Sequence, residues 1–178
     1  MNKEMEFKIY TPQEMIDVIR DKLRHSKDDP RKIIKAYNLV ENDEVDLKTL
    51  TAILQQDLKM GSLTNEFIKQ FFEAVDKIRA DKVSYNILLE VFYSDNAIEL
   101  VGYPKKLTDL IQIVRKGANH HFESPNKFLD YCKPKKLGEI RFDDFYPFMR
   151  VFTRFNKDKI LEVFNFLNTQ NMGFIHSA

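Results

Sequence analysis

Residues 15–50, MIDVIRDKLRHSKDDPRKIIKAYNLVENDEVDLKTL, and residues 110–145, LIQIVRKGANHHFESPNKFLDYCKPKKLGEIRFDDF, align without a gap at an offset of 95 positions. Met15, Ile16, Val18, Ile19 and Arg20 fall on Leu110, Ile111, Ile113, Val114 and Arg115, and His25, Pro30 and Lys32 fall on His120, Pro125 and Lys127. Further on, Ile33, Ile34 and Tyr37 match Phe128, Leu129 and Cys132, while Val45, Leu47 and Leu50 match Ile140, Phe142 and Phe145. Register survives two irregular stretches, so one supersecondary design is used twice.

Within the first copy, Thr11, Pro12 and Glu14 have the spacing of a capping box with proline in the first turn, where its missing N–H costs nothing. Met15, Ile16, Ile19 and Leu23 then recur at helical spacing up to the polar run His25 to Asp29. Asp29 can cap a second helix that starts with Pro30 and carries Ile33, Ile34 and Tyr37 on one face; Ser124 and Pro125 restate the arrangement in the second copy. After Tyr37 the period changes. Val45 and Leu47 alternate as in a short strand, and Leu50, Ile53 and Leu54 resume a helical face.

The same helix, loop, helix signature recurs at Phe71, Phe72 and Val75 before Val83, Tyr85, Leu88 and Leu89, and at Val163, Phe164 and Leu167 before Ile175. Each time the apolar residue of the loop lies eight positions after the last apolar residue of the helix: Tyr37 to Val45, Val75 to Val83, Cys132 to Ile140, Leu167 to Ile175.

This pattern resembles the EF-hand, or calmodulin-like, superfamily, whose unit is a helix, a twelve-residue loop and a second helix, with hands paired through an apolar eighth loop residue. The resemblance places loops at residues 38–49, 76–87, 133–144 and from 168 onward, with Val45, Val83, Ile140 and Ile175 eighth. Gly138 and Gly173 stand sixth, where the family keeps glycine for a sharp turn; Asp43 and Asp81 stand there in the first two loops. It implies an all-α fold of two lobes, each a pair of hands preceded by an extra helix, with short antiparallel contacts between the loops. Residues 1–94 and 107–178 are the expected lobes, and 95–106 the linker. Pro104 in that linker argues against one continuous central helix.

The calcium chemistry departs from the family. Calcium takes six to eight oxygens, including a bidentate Glu at position twelve. The first loop offers Asn38, Val40, Asn42 and Thr49, and the second offers Asp76, Ile78, Ala80 and Ile87. In the third, Lys133, Lys135 and Leu137 set two ammonium groups where a cation should sit. The fourth offers Asn168, Gln170 and Met172, and the sequence stops at Ala178 before its twelfth position, so that hand is expected to be incomplete in this chain. No metal site and no cofactor are expected; Asp76, Asn168 and Gln170 alone have any claim on a metal.

Fold stability must then come from the core. With 15 Phe, 7 Tyr and no Trp, aromatic residues occupy the skeleton positions, and burying each contributes about 2–3 kcal/mol. The helix of Phe148, Phe152 and Phe155 carries apolar groups on more than one face, which makes these three candidates for partner binding as well as for the core.

Other chemistry is thin. Adjacent His120 and His121 point in different directions along a helix, Cys132 sits at an apolar helical position, and the chain shows neither a phosphate-binding glycine loop nor a nucleophile elbow. Catalysis is not expected. Lys+Arg 28 against Asp+Glu 27 gives no global pull toward nucleic acid or an anionic membrane, and the local basic concentration is Lys133, Lys135 and Lys136, with Lys105 and Lys106 nearby in sequence. One cysteine excludes an internal disulfide framework, no apolar run approaches the ~20 residues of a membrane helix, and the charged start lacks a signal-peptide core. A cytoplasmic setting is expected.

These readings lead to a non-catalytic, calcium-independent structural or adaptor protein that binds a partner helix or a cytoskeletal surface. Helix-before-hand units are similar to those of EF-hand proteins of cilia and flagella, which implies tubulin or other axonemal proteins of the doublet microtubule as partners. A calcium sensor with one residual site is the alternative, and an RNA-binding module using the Lys133 to Lys136 loop is the third.

Overall fold

The computed structural model describes residues 8–38, 43–124, 127, 131–132, 138–169 and 173–176, for the backbone alone at Asn38, Phe174 and His176. The chain is mainly helical, with two small antiparallel strand pairs. It divides into unit 1, residues 1–75 and 81–103, and unit 2, residues 76–80 and 104–178.

In unit 1, α1 (Pro12–His25) starts at a complete capping box: the Thr11 side-chain oxygen accepts from the Glu14 N–H at 3.2 Å, and the Glu14 carboxylate accepts from the Thr11 N–H at 2.8 Å. The Thr11 backbone hydrogen bond holds the Glu14 carboxyl below its ordinary pKa. The helix ends with Lys22, Arg24 and His25 in its last turn, where positive charge opposes the helix dipole. For α2 (Pro30–Asn38), Asp29 supplies the cap by accepting from the Arg31 N–H at 3.0 Å. After β1 (Glu44–Val45), Asp46 caps α3 (Leu47–Ala52) through the Thr49 N–H at 2.7 Å, and a wider π-type turn continues over Ile53–Asp57. Thr64 caps α4 (Asn65–Val75), and Ser84, the last residue of β2 (Val83–Ser84), caps α5 (Tyr85–Tyr93). β1 and β2 run antiparallel with Val45 opposite Val83.

Met15, Ile16 and Ile19 of α1 are buried with Leu50, Ile53, Leu54, Ile68, Phe71 and Val91 in one continuous core. There α1 packs on α4, α5 and a short α6 (Ala97–Val101). The expected linker therefore begins later than residue 95: α6 buries Ala97 and Val101 in the unit 1 core, and the division falls between Tyr103 and Pro104.

In unit 2, α7 (Leu107–His121) is followed, past the described part of residues 122–132, by β3 (Glu139–Arg141), α8 (Phe142–Phe152), α9 (Lys157–Leu167) and β4 (Phe174–His176). β3 pairs antiparallel with β4, Ile140 opposite Ile175. Asn156 caps α9 by accepting from the Lys159 N–H at 2.9 Å. Its core is aromatic. Phe122 lies 5.5 Å from Phe152 and 5.8 Å from Phe148, while Phe142 and Phe145 each lie 5.5 Å from Phe164, centre to centre. Among the described residues, no helix is long and apolar enough to cross a membrane.

Candidate functional site

The four loops share one backbone device. At the sixth position of each, φ is positive: 56° at Asp43, 56° at Asp81, 81° at Gly138 and 79° at Gly173. Glycine takes the left-handed region freely, and aspartate is among the few other residues that adopt it at modest cost. Within two residues each loop enters its strand, and the turn brings Val45 opposite Val83 and Ile140 opposite Ile175. Asp43 and Asp81 therefore take in loops one and two the conformation that Gly138 and Gly173 take in the other two.

The second loop is described throughout, and its first residue is its chemical centre. Asp76 is buried, and one carboxylate oxygen, Oδ1, accepts from the Ala80 N–H at 2.9 Å, closing the turn locally. Its other oxygen, Oδ2, accepts from Arg154 Nη2 at 3.3 Å. Arg154 Nε donates to the Asp76 carbonyl at 3.0 Å, and the Arg154 N–H donates to the Lys77 carbonyl at 2.8 Å. In return, Arg79 Nε donates to the Thr153 carbonyl at 3.1 Å. His121 Nε2 donates to the Ile78 carbonyl at 2.7 Å. These bonds explain why residues 76–80 belong to unit 2, whereas the sequence places them in the first lobe. Beside Asp76, burial lowers the Lys77 pKa to about 8.

Gly117 of α7 makes this packing possible. A Cβ there would stand 2.9 Å from Phe152 Cδ2, 3.2 Å from the Phe152 carbonyl oxygen and 3.3 Å from Ile78 Cγ2. No short sequence signal marks Arg154 or Arg79 as partners of this loop; a lone glycine inside a helical pattern was the one visible hint at Gly117.

Among the other residues singled out by the sequence, Asn168 ends α9 with its N–H bonded to the Phe164 carbonyl at 2.9 Å. Its side chain is buried, and its Oδ1 has no hydrogen-bond partner among the described residues. Gln170, Lys133, Lys135 and Lys136 lie outside the described residues. Phe148, Phe152 and Phe155 are 4 %, 0 % and 0 % exposed, which corrects their reading as a partner-binding face. The reason is internal: α8 is covered on one side by Gly117 and Phe122 and on another by Phe164. Burial, then the nearby Asp144 charge, push the Cys132 thiol up to about 11, so it stays protonated at neutral pH.

A partner helix has no open seat on the unit 1 core where α1 lies. Met15, Ile16 and Ile19 cover that face, and Arg20 ties the helix down by donating to the carbonyls of Val91 and Ser94. Elsewhere in unit 1 a shallow hollow is lined by Arg31, Leu89, Glu90, Tyr93 and Ser94, with the Arg31 guanidinium 4.3 Å from the Tyr93 ring centre. Among the described residues, no group of three or more His, Cys, Asp or Glu is placed to hold a metal ion.

Compared with protein-family models, curated proteins and solved structures, the chain matches none.

Proposed function

We propose that this chain is a non-catalytic, EF-hand-like structural or adaptor protein that works without calcium. The observation that carries this reading is a contrast within the loops. Their left-handed sixth residues and strand partners are kept, while Asp76, the acidic residue that opens the second loop, spends its carboxylate on Arg154 and Ala80. Ile78, Ala80 and Ile87 put apolar groups where oxygen ligands are needed, and Lys133 and Lys135 put positive charge there in the third loop. Since metal binding ordinarily drives hands between closed and open states, hands that dispense with it are held in one state by packing. The extensive cores of both units support that.

The partner is a protein, and the resemblance to ciliary EF-hand chains suggests a cytoskeletal surface such as the axonemal microtubule. Calorimetric titration of the full chain with calcium tests the first half of the proposal; heat of binding in the micromolar range would remove it. Isolating the protein from its native source and identifying what stays bound in high salt tests the second half.

A calcium sensor is the second reading, and Asn168 favours it. A buried carbonyl oxygen that has no donor among the described residues, at the first position of the fourth loop, is the kind of group a cation would satisfy. Calcium-dependent exposure of apolar surface, read with a hydrophobic dye, would select this alternative.

A further inference from the structure

We propose that Arg154 is the built-in cation of the second loop, its guanidinium supplying Asp76–Ala80 with the positive charge that a bound metal would bring. This deepens the reading of the loops as EF-hand-like and calcium-independent, and rests on it. The Asp76 side chain is 1 % exposed and divides its two oxygens between two tasks. Oδ1 shapes the turn by accepting from the Ala80 N–H, and Oδ2 receives the guanidinium. A positive group at Oδ2 offsets the charge of a carboxylate held away from water.

The approach of Arg154 is specified from both directions. Nε and Nη2 take the carbonyl and the carboxylate of one residue, a match for a planar fork that a lysine ammonium cannot make. The Arg154 N–H to the Lys77 carbonyl and Arg79 Nε to the Thr153 carbonyl hold the two backbone segments side by side, so the fork arrives already aimed. Arg154 is thus a positioning residue for the turn, acting through Asp76 on the Ala80 amide.

Hydrogen exchange at the Ala80 amide, measured by NMR on the full chain, reads this directly. Arg154→Met is expected to speed that exchange about tenfold, the effect of losing about one charge-assisted hydrogen bond. Methylguanidinium at about 10 mM should restore much of the protection by mass action, where sodium chloride of equal ionic strength does not. Unchanged exchange in the variant, or equal effects of the two salts, overturns the proposal. If Arg154→Met does not fold, Arg154→Lys and Arg154→Gln replace it. The lysine keeps the charge and the glutamine keeps only a neutral donor, so Ala80 should be protected about tenfold better in the lysine variant, and equal protection overturns the proposal. Calcium calorimetry of the unchanged chain reports separately on the underlying reading: heat there, with Ala80 still responding to Arg154, removes calcium independence and leaves the role of the arginine standing.

Discussion

Asp76 and Asn168 open the second and fourth loops, and both are buried in unit 2, at 3 % and 8 % exposed. Their polar atoms meet different fates. Every carboxylate oxygen of Asp76 has a donor, one from its own loop and one from Arg154, which lies 78 positions away in sequence. Asn168 uses its backbone N–H to finish α9 and leaves Oδ1 without a donor among the described residues. A buried charge demands a partner, whereas a buried amide oxygen costs less and can stand alone. The difference shows how a loop that carries an acid acquires a long-range tether, while the amide of the fourth loop has none among the described residues.

The largest expected effect breaks the tether. Arg154→Met takes a charged partner from the buried Asp76 carboxylate and should lower unfolding free energy by about 3 kcal/mol, measured by urea denaturation. Asp76→Asn in the same background should recover part of that loss, because the charge that needed the arginine is gone; a strictly additive double variant would count against a direct pairing.

Next to Asp76, Lys77 supplies a test with a pH signature. Burial holds its pKa at about 8 in the folded chain against 10.5 when unfolded, so between those values the unfolded chain binds more protons and Lys77 makes stability rise with pH. Lys77→Met should therefore stabilise the protein near pH 7, and the gain should shrink steadily from pH 8 to pH 10.5. A gain independent of pH would mean that the lysine is not what titrates.

At the fourth loop the expected effect is small. Asn168→Leu removes an oxygen with no donor and should change stability by less than about 1 kcal/mol, in either direction; a loss of several kcal/mol on thermal unfolding would reveal a bond that the comparison lacks.

An effect of similarly small size concerns the Asp46 cap. Hydrogen bonds from Thr49, backbone first, hold its carboxyl below the ordinary 3.8, so its contribution is present above that value and is lost as pH falls through the lowered one. Asp46→Ala should cost about 1 kcal/mol at neutral pH, and the difference from the unchanged chain should close on acidification below pH 4.

Much of the local architecture was legible in the residues. Thr11, Pro12 and Glu14 announce the start of α1, Asp29 and Pro30 that of α2, and the eight-position spacing marks Val45, Val83, Ile140 and Ile175, which occupy facing strands. Caps and hydrophobic periods act over a few residues, so a sequence displays them directly. Phe148, Phe152 and Phe155 were harder, because apolar groups at helical spacing look alike whether a partner or the protein's own helices cover them. The α6 turn was missed for a different reason: five residues are too few to establish a period, and tertiary burial of Ala97 and Val101 holds it.

By itself the sequence determined where helices begin, where the loops turn and which apolar residues recur, since these rest on short-range sterics, capping and hydrophobic spacing. It also determined which side chains the loops carry, Lys133 and Lys135 among them, because that is a matter of residue identity. Tertiary structure alone decided that α1 closes one face of unit 1, that Asp76–Ala80 belongs with unit 2, and that Arg154 answers Asp76. Those outcomes depend on the meeting of distant groups in three dimensions, where desolvation makes the carboxylate's need for a cation acute, and no local pattern along the chain encodes that meeting.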